Sequence, residues 1–159
     1  MSFNIREGKK TDMSSVLKLI KELAHFENEP DAVIVTVSDL EKDGFGESPL
    51  FKIFVAEQAN EIVGMALFYP RYSTWKGPTI HLEDLIVTKS KRGLNIGSAL
   101  YKKVIEYGFK RSVKRIEWVV LDWNKPAIEF YKKTGAVVLI DWNTAQMNEQ
   151  AIKNYIETV

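Results

Sequence analysis

Three groups of residues in this chain are of types, and at spacings, that do chemistry. Glu83 and Asp84 interrupt the otherwise apolar run "TIHLEDLIV". A carboxylate in such a place can hold a cationic amine or take a proton from it, and can equally serve a structural ion pair within the sheet. Successive strand residues face opposite sides, so alternation predicts that one of the two reaches a site, and Glu83 is taken as that one. Beyond Val87 the chain turns through Lys89, Lys91 and Arg92-Gly93-Leu94-Asn95-Ile96-Gly97-Ser98 into an amphipathic segment. Backbone amides left unpaired at a helix start, with cations beside them, form an anion site. Tyr131 lies in "EFYKKTGA". A phenol with a pKa of about 10 stays protonated at neutral pH and can donate a proton; by spacing alone it could also be an aromatic packed in a core.

Composition removes several other chemistries. The chain has 159 residues and no cysteine, which excludes disulfides, thiolate metal sites and a cysteine nucleophile. Its two histidines, His25 and His81, are too few for a zinc site without thiolates and lie in no HExxH pattern, so no metal is expected. His25, at the end of a helical run, is read as a surface or capping residue. A net charge of +1 gives no general reason to expect nucleic acid. The charge is unevenly placed, however, with 9 Lys/Arg against 12 Asp/Glu in residues 1–80 and 13 against 9 in residues 81–159. Within 88–133 the balance is 12 basic to 4 acidic. Solvated helix faces would account for this, as would a polyanionic ligand held by the second half and a cationic one by the first. No run approaches the roughly 18 apolar residues of a membrane span, and "MSFNIREGKK" lacks the order of a signal peptide, so a soluble cytoplasmic protein is expected.

The elements that must position these groups follow from periodicity. A strand is predicted at 3–7, then a helix over 11–26 with Met13, Val16, Leu17, Ile20, Leu23 and Ala24 on one face and Thr11 as its cap. "SDLEKDGFG" reads as a short helix closed by Gly44. "FKIFVAEQ" and "IVGMALFYPRYS" read as strands of a hairpin around Ala59-Asn60-Glu61. "TIHLEDLIV" is a strand, 95–112 a helix, "RIEWVVL" a strand, and "NKPA" opens a helix capped by Asn124 and stopped by Gly135. The tail holds "AVVLIDW", a polar extended stretch "NTAQMN" and a last helix near 148–157. At this length and 45% hydrophobic content a single domain, 1–159, is expected. The order predicts an α/β fold whose sheet is antiparallel early and parallel around residues 80–121, with a ligand beyond the carboxyl ends of the parallel strands, above Val87 and Leu121.

The basic loop fits neither GxxxxGK[ST] nor GxGxxG, which argues against nucleotide hydrolysis and dinucleotide binding. It resembles the R/Q-x-x-G-x-G/A signature of the GNAT superfamily of N-acetyltransferases. "LIKELAHFE", "DLEKDGFGE", "LEDLIV" with "RGLNIGS", and "WNKPAIEFYKKTGA" extend the likeness over nearly the whole chain, nearest the diamine acetyltransferase branch. The resemblance implies a mixed, mostly antiparallel sheet whose central parallel pair splays to hold acetyl-coenzyme A, flanked by helices. It implies acetyl transfer to the primary amine of a small aliphatic amine. Leu85, Ile86 and Val87 would pair with the pantetheine arm, the amides of Arg92 through Ser98 would hold the pyrophosphate, and Asn124, Pro126 and Ala127 would contact the coenzyme arm. Tyr131 would protonate the departing thiolate, and Glu83 would bind the amine and take its proton. Phe26, Glu27, Trp75, Asp84, Glu117, Trp118 and Val119 would line the amine site; Trp123 is read as packing. The absence of cysteine makes direct attack in a ternary complex the natural route.

Two departures bear on the substrate. Asn95 stands where the signature has glycine, and although Asn tolerates left-handed backbone, its side chain crowds the phosphate side. At Ser73 near relatives carry an aspartate, and here Arg71 stands nearby, which disfavours a long polycation such as spermine and suits a shorter amine or a lysine-like amino acid such as thialysine. A coenzyme A-binding sensor without catalysis and a protein N-acetyltransferase are the alternatives. The resemblance also implies a homodimer; the "NTAQMN" stretch and the helix after it read either as a subunit contact or as a plain edge strand.

Overall fold

The apolar runs Ile53–Ala56 and Val63–Phe68 are buried on both faces, which is why they read as continuous rather than alternating hydrophobic segments. They form the middle of a five-stranded sheet in the order β1-β2-β3-β4-β5. The strands are β1 (Asn4–Glu7), β2 (Lys52–Gln58), β3 (Glu61–Ser73), β4 (Gly77–Val87) and β5 (Ile116–Glu117). The computed structural model describes residues 2–158 and divides into two compact units, Met1–Val119 and Val120–Val159. The first holds the sheet with helices α1 (Met13–Phe26), α2 (Val37–Phe45) and α3 (Ile96–Lys110); the second holds α4 (Lys125–Lys133) and α5 (Glu149–Glu157). Strands β1 to β4 are antiparallel neighbours, and β4 and β5 are parallel, pairing Ile80 with Ile116 and His81 with Glu117. The α/β class with an antiparallel start and a parallel pair near residue 80 is as the sequence order predicted.

Each face of the sheet has its own core. Met65, Leu67 and Ile86 join Met13, Val16, Leu19, Leu40, Ile53 and Val55 beneath α1 and α2. The other side chains of the same strands meet α3: Phe68 stacks on Phe54 at 5.3 Å and receives the edge of Tyr107 at 4.9 Å. Gly64, paired with Val87, lies under α3, where an added Cβ would sit 2.9 Å from Ile86 O and 3.2 Å from Leu100 Cδ1. Ala59 and Asn60, at φ 51° and 63°, make the β2–β3 turn at the predicted place.

Several local expectations change. Helix α1 starts after Asp12, at the end of a 3-10 turn that contains Thr11, and the Asp12 carboxylate accepts from Lys9 N at 2.7 Å and from Arg6 rather than from the first amides of the helix. Gly44 does not stop α2, which ends at Gly46; Gly44 is small because a Cβ there would strike the Phe51 ring at 2.6 Å. Only Ile116–Glu117 of "RIEWVVL" is strand, and the extended stretch "NTAQMN" is not part of any strand. A strand needs a pairing partner, and within the second unit only helices accompany that run. Asn124 and Asn148 cap α4 and α5, and Gly135, at φ 91°, follows the end of α4.

Gly64→Ala is expected to cost about 1–3 kcal/mol, read as a lowered denaturation midpoint, because a backbone carbonyl cannot move aside. Gly97→Ala, whose Cβ meets Val87 at an ordinary 3.7 Å, should stay within about 0.5 kcal/mol of wild type. Equal effects would contradict the close approach under α3.

Candidate active site

The ladder between β3 and β4 carries one extra residue. Leu67 pairs with Asp84 and Phe68 with Leu82, so Glu83 is a bulge on β4. The bulge corrects the simple alternation, which sends neighbouring carboxylates to opposite faces. Asp84 shares the face of Leu67, the α1 side, and Glu83 turns to that side as well, where its Oε2 accepts from Tyr69 Oη at 2.8 Å. Asp84 is half-buried, and burial, then the charges of Glu83 and Glu27, push its carboxyl up to about 6. Burial first, then the Glu83 hydrogen bond and charge, push the Tyr69 phenol up to about 12, so Tyr69 remains a donor.

Further along the same face, His81 Nε2 lies 3.5 Å from Glu83 Oε2, and Arg71 Nη1 lies 3.5 Å from His81 Nδ1. Arg71 forms an ion pair with Glu117, which also pairs with Arg115, whose Nε lies 2.6 Å from Glu117 Oε2. Of the predicted segment Glu117 to Val119, Glu117 alone joins this row. Trp118 meets Tyr101 of α3 edge-on at 5.6 Å, and Val119 is exposed.

Helix α1 brings its C-terminal end to the carboxylates. Glu27 raises the Asp84 value through its charge, and its own carboxyl is pushed up by burial. Phe26 lies under the Arg92 guanidinium, 5.4 Å from the ring centre. One turn earlier, Glu22 accepts from Thr88 Oγ1 and Lys89 N, both at 2.8 Å, and its carboxylate is 4.0 Å from Arg92 Nη2. Arg92 Nε also donates to Val87 O at 3.0 Å. The basic loop is thus anchored from α1 before it enters α3. Neither Glu22 nor Tyr69 was selected from the sequence, since one reads as a polar helix position and the other as one more strand aromatic. Only the register that brings them to Thr88 and Glu83 marks them.

Gly93, at φ 79°, has nothing within 4 Å of an added Cβ, and Asn95 holds the left-handed conformation at φ 61° as the residue that starts α3. Ala99 N bonds back to Asn95 O at 3.1 Å, and the amides before it are those a helix start leaves without intrahelical partners. Leu94 and Ser98 are exposed, whereas Ile96 is buried and anchors the helix. On β4, Ile86 is in the α1-side core, and Val87 packs toward Gly97. Strand β5 pairs with β4 at Ile80 and His81 alone, so from Leu82 to Val87 no strand of the described sheet takes that edge. An open strand edge running into a helix N-terminus can hold an extended amide-bearing arm ending in an anion.

In the second unit, Asn124 Oδ1 accepts from Ala127 N at 3.4 Å, with Pro126 in the first turn of α4. Tyr131 is buried, its ring 5.4 Å from that of Phe130, and its carbonyl accepts from Thr134 Oγ1 at 2.7 Å. Trp75 is exposed at the β3–β4 turn. From the Ser73–Gly77 pair there to the Leu67–Asp84 pair is roughly 20 Å at the rise of a strand, so Trp75 is not brought to Glu83. Ser73 is buried at that turn and its Oγ accepts from Trp75 N and Lys76 N, each at 3.2 Å.

Asp84 gives a pH test. Its folded value lies above the ordinary 3.8, so ionisation costs the folded state nothing below about pH 3.8 and progressively more as pH rises through about 6. Asp84→Asn should melt with wild type near pH 3.5 and above it at pH 8. A gap independent of pH would show that Asp84 is not a desolvated carboxylate.

Comparison with known proteins gives the chain's family and proteins of similar fold. The Acetyltransferase (GNAT) family model matches residues 16–136. Thialysine N-epsilon-acetyltransferase of Bos taurus is 39% identical over 160 residues, covering 94% of each chain. Spermidine/spermine N(1)-acetyltransferase-like protein 1 of Homo sapiens is 34% identical over 94% of this chain and 23% of its own length. In fold, an integron cassette protein from the mobile metagenome of V. cholerae superposes with a TM-score of 0.80 over 99% of each chain at 22% identity. Aminoglycoside N-acetyltransferase AAC(6')-Iy, solved in complex with CoA, does so with a TM-score of 0.72 over 92% of this chain and 95% of its own at 17% identity. With a family match through both the loop and the tyrosine segment, and a relative at 39% identity aligned over 94% of each chain, the chain belongs to the GNAT acetyltransferase family.

Proposed function

We propose that the chain transfers an acetyl group directly from acetyl-coenzyme A to the primary amine of a small aliphatic acceptor: a diamine, a polyamine or a lysine-like amino acid such as thialysine. The observation that carries this reading is the convergence of Glu83, Asp84 and Glu27 on one face of β4, immediately before the basic loop that opens α3. The names of the relatives at 34–39% identity support the same acceptor class. The family match crosses from the first unit into the second, which supports reading 1–159 as a single domain.

The residues present fit the cofactor. The amides of Gly93 to Ser98 would hold its pyrophosphate, with Lys89, Lys91 and Arg92 adding charge. The open edge at Leu85 to Val87 would take its amide-bearing arm, and the resemblance adds Asn124, Pro126 and Ala127. Acetyl-coenzyme A supplies the acetyl group as an activated thioester. The acceptor amine is an ammonium at neutral pH and must lose a proton before it attacks. Glu83, oriented by Tyr69 Oη, is the carboxylate that binds it and takes that proton. Asp84, with a value near 6, lies close enough to neutrality to pass the proton on. By the family resemblance, Tyr131 returns a proton from its phenol to the leaving sulfur.

Free thiol release from acetyl-coenzyme A is a clean assay here because the chain has no cysteine. Release with one or more small amines is expected, and Tyr131→Phe should lower turnover about a hundredfold while weakening coenzyme A binding far less. Cofactor binding with silence across the small amines would favour a sensor, and transfer only to a lysine peptide a protein acetyltransferase.

Glu22→Ala should raise the KM for acetyl-coenzyme A about 3- to 30-fold with a smaller change in kcat, because it frees Thr88 and Lys89 at the start of the loop. An unchanged KM would remove the anchoring role.

The reading includes a cytoplasmic homodimer, as the resemblance implies. Among the described residues no helix is long and apolar enough to cross a membrane. Sedimentation would measure the assembly.

A further inference from the structure

The face that presents Glu83 carries the opposite charge at its other end. Arg71 and Arg115 both pair with the single carboxylate of Glu117, so these three groups together keep one unit of positive charge. The Arg71 side chain is 53% exposed, leaving part of its guanidinium fork open while Glu117 holds it in place. His81 lies between the two ends, its ring beside that of Tyr69. Its ring nitrogens lie 3.5 Å from Glu83 and 3.5 Å from Arg71, which separates carboxylate from guanidinium by roughly 9 Å, two contacts and an imidazole ring. An extended lysine-sized chain spans roughly 7–8 Å from its terminal nitrogen to its carboxyl carbon. Such a molecule can give its amine to Glu83 and its carboxylate to Arg71. A diamine or polyamine would bring a second ammonium toward the surplus cation.

We propose that Arg71, held by Glu117, reads a carboxylate on the acceptor, so that the site selects amino acids with a terminal amine over acceptors that carry amines alone. This rests on the acetyl-transfer reading above and adds to it a specificity-determining residue. The charges would orient the acceptor as well as retain it, because the two ends of the row fix which amine faces Glu83.

The test uses pairs that differ only by the carboxylate: lysine against cadaverine, and thialysine against bis(2-aminoethyl) sulfide. For the wild-type chain, kcat/KM should be at least about tenfold higher for the acid of each pair. Arg71→Leu should lower it about 10- to 100-fold for the acids and raise it a few-fold for the diamines, inverting or erasing the preference. Arg71→Lys keeps the charge without the fork and should give an intermediate ratio. Equal wild-type rates within each pair, or an Arg71→Leu loss that is the same for both members, would overturn carboxylate selection while leaving acetyl transfer standing. A chain that acetylates no member of either pair overturns the transfer reading for these acceptors, and the selection with it. Should Arg71→Leu fail to fold, the wild-type ratio and Arg71→Lys decide.

Discussion

One residue too many in β4 organises the first unit. Strands β3 and β4 pair from Ser73–Gly77 to Gly64–Val87, and the ladder stays in register only by leaving Glu83 unpaired. The extra residue changes the parity of everything after it. Upstream, His81 faces the α1 side; downstream, Asp84 and Ile86 do so too, where an unbroken strand would have sent them to α3. Two adjacent carboxylates therefore share a face, and the charge of Glu83 adds to burial in making Asp84 harder to ionise. Val87, by the same shift, is directed toward α3 and Gly97, so the strand end and the helix start lock together at the loop.

Helix α1 converts that local arrangement into a site. Its start is pinned to the sheet by Asp12, which accepts from Arg6 at 2.7 and 3.0 Å, while Arg6 Nε donates to Glu57 on β2 at 2.7 Å. Hydrogen bonding to Arg6, more than any other influence, holds the Asp12 carboxyl below its ordinary range. The apolar stripe of Met13, Val16 and Leu19 then fixes the helix rotation against β2 and β3. Glu22 consequently meets Thr88, and Glu27 comes near Asp84. A wholly apolar docking face would position the helix as well, but these carboxylates tie its polar edge to the loop and the bulge.

The acidic end of β4 and the cationic end of the Arg71 row are kept apart by His81 and differ in solvation. Asp84 is half-buried, and its charge is costly; Arg71 is exposed and paired. Such a gradient along one strand face favours a ligand with charges of both signs, since each end offers a partner that the other would repel.

Much of this was legible in the residues. The hairpin turn, the apolar strands, the Asn124 cap and the basic loop before α3 are short-range features, governed by backbone preference and by which side chains can bond the nearest amides. The resemblance of the loop and tyrosine segment to the GNAT family rested on sequence as well. Strand "RIEWVVL" was overread because an apolar run reports burial without reporting how far a pairing partner extends. Thr11 and Gly44 were misjudged for related reasons: Asp12 had a distant guanidinium to bind, and Gly44 a phenyl ring to avoid. The sequence by itself determined the chemical types available, two carboxylates, a basic glycine-bearing loop and a phenol, because composition and local order set those directly. Only the tertiary structure decided that both carboxylates share a face, that Glu22 holds the loop and that Arg71 stands one imidazole from Glu83. Those facts depend on strand register and on contacts between residues far apart in the chain, and a one-residue bulge inverts them without altering any local pattern.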